Sequence, residues 1–277
     1  MNYLNLGCGL RFHSDWVNVD FASSHPSVLE CDLRKGIPYP DNSFEVAYHS
    51  HVLEHFTKHD ALCFLKECHR VVEPNGTIRV AVPDLEGIVN AYLQALDMAL
   101  QGDELGMQNY EWMMLEMYDQ VVRQRSGGSM FEYLKRSPLP NESFIRQRMG
   151  GEAARILEGI RRIDPQPFGS YSHFQRLRGR LLGLPRKLRS AVLKVLLGRD
   201  AYDMLSVARF RSSGEIHQWM YDRYSLKGLL ESAGFTDAKR VGPTESRIPD
   251  WTSYNLDTDP DGTVYKPDSL YMEATKR

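Results

Sequence analysis

The chain has no run of eighteen apolar residues, so no segment reads as a membrane span. It has only four cysteines, Cys8, Cys31, Cys63 and Cys68, with no C-x-x-C spacing, and reduced thiols in a cytoplasmic protein are the expectation. Neither charge sign dominates. At a net −2, nothing global draws the chain to nucleic acid or to a membrane. Internal repeats and low-complexity tracts are missing. No leader is expected either, because Asn2 to Leu6 already reads as a core strand. What remains is an ordinary globular composition, 42% apolar and 25% charged over 277 residues, enough for one large domain or two small ones.

One more shortage carries chemistry. Two short apolar runs, Asn2 to Leu6 and Trp16 to Val19, flank the glycine pair Gly7-Cys8-Gly9, and the second run stops at Asp20. In an open parallel sheet ligands sit at the carboxyl ends of strands, where glycine permits close approach and an acid can take ribose hydroxyls. A dinucleotide fingerprint would need a third glycine where Phe12 stands. Between Gly9 and Trp16 there are also too few residues for a crossover helix, which takes at least about 10–12. The helix N-terminus that would hold a pyrophosphate is thus stunted. A ligand with ribose and adenine but no phosphate fits better, and S-adenosylmethionine is one.

Further along, Val28 to Leu33 reads as a third strand with Asp32 near its end, and Ser43 to His49 as a fourth. Thr57 with Asp60 forms a capping-box signature before a helix over Ala61 to Val72. Pro74-Asn75-Gly76 is a turn, and Thr77 to Val82 a β-branched fifth strand ending at Pro83-Asp84. From Leu85 to about Ser213 the period becomes helical, with Ile88, Tyr92, Leu96 and Leu100 on one face. Tyr110, Met113, Met114, Met117, Tyr118 and Val121 form a second apolar stripe, and Gly150-Gly151 interrupts a third helix that resumes through Ile156, Ile160 and Ile163. Ser225 caps a helix over Leu226 to Ala233, Phe235 to Val241 is a sixth strand, and Ser269 to Thr275 a seventh after a long polar loop. The fold expected is α/β, a doubly wound, mostly parallel seven-stranded sheet with a large helical insert between strands five and six. Residues 1–84 and 214–277 make the core and 85–213 the insert.

The ordered set Leu4-Asn-Leu-Gly-Cys-Gly9, Asp20, Cys31-Asp32-Leu33, Ser50-His-Val-Leu-Glu-His55 and Arg70-Val-Val-Glu-Pro-Asn-Gly76 resembles class I S-adenosylmethionine-dependent methyltransferases, nearest the type 11 group. Tyr224 to Phe235 looks like that fold's helix before strand six. The resemblance implies strand order 3-2-1-4-5-7-6 with strand seven antiparallel. It also implies cofactor binding at Asn5, Gly7 and Gly9 around methionine and ribose, Asp20 on the ribose hydroxyls, Asp32 and Leu33 flanking adenine, and Ser50 in the floor. The product is S-adenosylhomocysteine. Helices after strands one and two are nearly absent, so the cofactor's back wall is unaccounted for, and the insert is the expected cover.

Other features have blander readings. His51-Val-Leu-Glu54-His55 spells the inverted zinc-protease signature H-x-x-E-H, but it follows a sheet strand rather than sitting mid-helix, so no metal is expected. The acids from Asp257 to Asp268 have EF-hand spacing without flanking helices and read as polar turn chemistry. The methionines read as insert core, with an adaptable acceptor pocket as the alternative. Arg176 to Arg199 holds eight basic residues and no acidic one, either a solvated face or a contact with phosphate or an anionic membrane.

A sulfonium methyl is already activated, so alignment, which can supply about 7–11 kcal/mol, does most of the work. A hydroxyl acceptor also benefits from a general base, worth about 10²- to 10⁴-fold. Candidate bases are His51, His55, Asp84, and His217 with Tyr221, which stand one helical turn apart. O-methylation of a small-molecule, glycan or lipid-linked acceptor is the reading. A carboxyl or amine on a peptide or natural product is the alternative, and a non-catalytic interaction protein the rival. An N-P-P-Y type run is absent, which disfavours nucleobase amines, and no nucleic-acid partner is expected.

Overall fold

The computed structural model describes residues 2–23, 25–162 and 186–277. Seven strands form one sheet in the order β3-β2-β1-β4-β5-β7-β6: β1 Tyr3–Leu6, β2 Val17–Asp20, β3 Val28–Glu30, β4 Phe44–Ser50, β5 Val72–Pro83, β6 Phe235–Val241 and β7 Ser269–Lys276. All neighbours run parallel except β7, which is antiparallel to both β5 and β6. This is the order and the antiparallel seventh strand that the resemblance implied.

Alternation splits the sheet residues between two faces. Leu4, Leu6, Ala47, Ile78, Val80, Val82 and Met272 lie on the face packed by α1 (Lys58–Val71) through Ala61, Phe64, Leu65 and Cys68, and by α8 (Arg223–Ser232) through Leu226 and Leu230. The other face carries Tyr3, Val46 and Tyr48. No helix covers it. Trp16 and, from the long loop after β6, Ile248, Trp251 and Leu256 do. Among the described residues this face is thus covered by the long loop.

Arg79, centred on that face and fully buried, pins the loop. Its guanidinium donates to Asp257 Oδ2 (2.9 Å), Glu273 Oε1 (2.7 Å) and the carbonyls of Glu245 (2.8 Å), Gly242 (3.0 Å) and Pro243 (3.2 Å). Asp257 also accepts from Tyr48 Oη at 2.6 Å. Arg11, from the glycine loop, reaches Asp259 (2.8 Å) and the carbonyls of Asn255 (2.7 Å), Leu256 (3.1 Å) and Thr258. Of the EF-hand-like acids, Asp257 and Asp259 are thus engaged by arginines and Asp261 by the Thr263 amide, whereas among the described residues Asp268 is not.

The helical block between β5 and β6 comprises α2 Leu85–Leu100, α3 Glu104–Val122, α4 Gly128–Leu134, α5 Glu142–Arg162, α6 Arg186–Leu197 and α7 Arg199–Arg211. Ile88, Ala95, Trp112, Met113, Tyr133, Ile145, Met149 and Leu157 form its core. Of the expected stripes, Met113 is buried, whereas Leu100 and Tyr118 are exposed and the acids Glu116 and Asp119 are buried in their place. Buried polar partners override hydrophobic spacing here: Glu116 accepts from Trp112 Nε1 (3.0 Å), and Asp119 from the Ser129 amide (2.7 Å). At Gly150 (φ 58°, ψ −134°) α5 kinks, and a Cβ there would strike Pro267 and the Val264 carbonyl. The glycine pair is therefore where the block seats on the long loop. Ile163 and residues 176–185 of the basic stretch lie outside the described residues.

Local departures have local causes. Asp222, not Ser225, is the N-cap of α8, and Ser225 completes its capping box from the third position. The Pro74-Asn75-Gly76 turn is absorbed into β5, with Asn75 at φ 68° and a register shift between Phe44 and Val46. The third strand stops at Glu30, because Asp32 caps a short 3-10 turn, Leu33–Lys35. His217 and Tyr221 lie on an irregular segment, not a helix: Leu85 N donates to Tyr221 O (3.0 Å) and His217 N to Gln120 O (3.0 Å).

Candidate active site

β1 delivers the chain into Gly7 (φ 66°) and Gly9 (φ 55°). The amides of Gly7 and Cys8 donate to Val19 O at 2.7 and 3.2 Å, holding the loop against β2. A Cβ on Gly7 would overlap Val52, whereas the Cβ position of Gly9 has no atom within 4 Å, so space opens there. Asp20 ends β2 beside it, 8% exposed, with Oδ2 accepting from Gly9 N (2.7 Å) and Oδ1 from Ala22 N (3.3 Å). Asn5 lies buried beneath, its amide donating to Arg11 O (3.0 Å) and Asn18 Oδ1 (3.2 Å), so it braces the loop. Asp32 grips Arg34 (2.8 and 3.0 Å), which holds its carboxyl below the usual range, and Leu33 lies in the main core. Burial pushes the Cys8 thiol up to about 12, leaving it unreactive. Leu10 and Phe21, 77% and 55% exposed, put apolar surface beside Gly9 and Asp20, and sequence reasoning missed both. Open space over Gly9, a positioned carboxylate and apolar flanks fit a nucleoside ligand without phosphate.

β4 ends at Ser50, and His51 follows with φ 54°, a left-handed backbone in a bulky residue. His51 Nε2 lies 2.8 Å from Ser269 Oγ and its Nδ1 3.2 Å from Glu54 Oε1. His55 Nδ1 is 3.1 Å from Ile216 O, and its ring meets His217 edge to face at 4.9 Å. Burial pushes His217 down to about 3 and His55 below its ordinary value. Burial raises Glu54, but its close contact with His51 and the three surrounding histidines bring the carboxyl net below its usual range. His49 sits in the core against Phe64, and burial drops it to about 4.

The same sheet edge carries Asp84, which ends β5, and Asp268, which precedes β7, with Asp84 N donating to Asp268 O at 3.0 Å. Asp84 is committed: it caps α2 through Glu86 N (3.1 Å) and pairs with Arg240 (3.1 Å). Asp268 is not. Its Oδ1 is closed to solvent and has no partner among the described residues. Burial, then the charge of Glu116, with Glu152 adding and His51 and Lys266 opposing, pushes its carboxyl up to about 6. From the helical block, α3 contributes Glu116 and α5 contributes Arg148 and Glu152. Arg148 pairs with Glu116, and Lys266 lies 3.3 Å from Glu152. Asp268, Glu152 and Lys266 are half-buried where the block meets the sheet edge. Sequence reasoning missed this set, since it read Asp268 as part of a polar turn and the members come from three distant stretches. Tyr221 Oη is buried without a partner among the described residues, and burial raises it.

The family of the type 11 "Methyltransferase domain" matches residues 4–80. No curated protein matches the chain. Among solved structures, a S-adenosylmethionine-dependent methyltransferase of Thermotoga maritima is 10% identical over 100% of this chain and 82% of its own, with a TM-score of 0.39. One of Archaeoglobus fulgidus is 11% identical over 99% and 86%, with a TM-score of 0.37. The [4+2]-cyclase SpnF is 22% identical over 29% of this chain and 38% of its own, with a TM-score of 0.24. Strand order, glycine loop and family match agree: from residue 4 to residue 80 the chain carries a type 11 methyltransferase domain of the class I fold, whose cofactor is S-adenosylmethionine.

Proposed function

We propose that the protein methylates a hydroxyl on a polar small-molecule or glycan-type acceptor bound between the helical block and the carboxyl edge of the sheet. The observation that carries this reading is Asp268, a recessed carboxyl with an unpartnered Oδ1 and an affinity for protons raised into the range of a working general base. When bound, S-adenosylmethionine supplies a methyl group already activated by its sulfonium. Asp20 and the Gly9 turn hold the ribose end, and close packing of Gly7 keeps the backbone near it. Asp268 accepts the acceptor's hydroxyl proton. His51, braced by Ser269 and Glu54, lies beside it. Glu116, Arg148, Glu152 and Lys266 make that boundary charged, which suits an acceptor rich in hydrogen-bonding groups. The helices exclude water, which strengthens each of these contacts.

Calorimetry with S-adenosylmethionine and with NAD, followed by product formation from sugar and phenol hydroxyl acceptors, tests the reading. Methyl transfer lost in Asp268→Asn, with cofactor affinity kept, supports it. Binding of NAD alone overturns it, and cofactor binding with transfer only to carboxyl or amine acceptors overturns the choice of hydroxyl.

A further inference from the structure

We propose that Glu54, His55 and His217 form a binding site for a divalent transition-metal ion of the zinc type. Glu54 and His55 sit on the short turn after β4, and His217 on the segment that returns from the helical block. One ligand atom from each lies within 4.8 Å of the others, and His217 Nε2 is 4.0 Å from Glu54 Oε1. A tetrahedral zinc site with bonds near 2.0–2.1 Å needs ligand atoms about 3.4 Å apart, so side-chain rotations of under an ångström or two close it.

Two observations raise this above a chance cluster. Glu54 is wholly buried; His51 Nδ1 lies 3.2 Å from Oε1, and Oε2 has no partner among the described residues. A buried carboxylate left in that state is costly, and a cation is what satisfies it. Second, the shell around it is built. His55 Nδ1 can only donate to the Ile216 carbonyl, which leaves the Nε2 lone pair free, the arrangement of a metal-ligating histidine with its outer partner. His51 stands 3.2 Å from Glu54 Oε1 and is itself held by Ser269. The backbone fixes the juxtaposition, with Gln218 N and Trp219 N donating to Glu54 O at 2.6 and 3.3 Å. His55 is half-buried, giving an ion access from the surface. The ligand set also differs from the H-x-x-E-H reading, in which His51 and His55 would both bind and Glu54 would not. With three protein ligands a fourth position stays open.

The inference does not rest on methyl transfer, since binding is measured without cofactor. Chelator-stripped protein is titrated with cobalt(II), followed by visible absorption, and with zinc(II), followed by thermal melting. One equivalent of cobalt giving a tetrahedral spectrum without a thiolate charge-transfer band, displaced by zinc, supports the site. The absence of that band separates it from Cys63 and His59, which lie 3.8 Å apart on α1. His55→Gln and His217→Gln should each weaken binding about 100-fold or more, and His51→Ala about 10- to 100-fold. Circular dichroism checks that each variant folds, and His55→Gln serves if a buried one does not. No stoichiometric cobalt spectrum in the wild type, or unchanged affinity in folded His55→Gln or His217→Gln, overturns the proposal.

Discussion

Replacing Arg79 by methionine tests how the back wall is held. The arginine is fully buried and serves five acceptors, two of them the carboxylates of Asp257 and Glu273. Methionine fills much of the volume but leaves both acids without their cation. Removing one partner of a buried ion pair costs about 3–5 kcal/mol, roughly 6–20 °C in Tm for a chain of this size. The deficit should depend on pH in a definite sense. Burial already pushes Asp257 up despite the neighbouring guanidinium. Without Arg79, the Asp257 carboxyl would be raised further above its unfolded value of about 4, so its ionised form opposes folding at neutral pH. Protonation relieves this, and the deficit shrinks as pH falls from about 7 to about 5. The loop anchored by Arg79 also receives Arg11 from the glycine turn, so cofactor affinity should fall with stability. Urea melts at two pH values and cofactor calorimetry read these effects. A deficit under about 1 kcal/mol, or one that grows toward acid pH, would refute the account.

Three other outcomes are expected. Asp20→Ala should weaken S-adenosylmethionine by about 3 kcal/mol, roughly a hundredfold in Kd by calorimetry, because one held carboxylate serves two hydroxyls. Gly7→Ala should destabilise the protein by about 1–3 kcal/mol in thermal melts, since its positive φ and the Val52 methyl both resist a Cβ, and Val52→Ala should return the steric share only. With Asp268 as base, kcat/KM should fall as pH drops below about 6, set by burial and Glu116 against His51 and Lys266. In Asp268→Asn that acid limb should vanish and turnover should fall about 10²- to 10⁴-fold.

Much of the cofactor side was legible because strand, glycine and acid are contiguous in the chain. Residues 2–20 spell both strands and the turn between them, and short-range sterics place Gly7, Gly9 and Asp20 at one edge. The capping pair Thr57 and Asp60 worked for the same reason, with Thr57 Oγ1 accepting from Asp60 N at 3.2 Å. Periodicity failed in α3, where Glu116 and Asp119 took core positions through partners 32 and 10 residues away, Arg148 and Ser129.

By itself the sequence marked most strands along the chain and the glycine–acid edge between the first two, because each depends on neighbours a few residues apart, while the strand order within the sheet came from the family resemblance. Only the tertiary structure decided what covers the second sheet face and which charges meet. Arg79 finds Asp257 across 178 residues, His55 lies against Ile216 across 161, and Asp268 meets Glu116 through the packing of the block on the sheet. Those encounters depend on chain closure and desolvation, which no local pattern encodes.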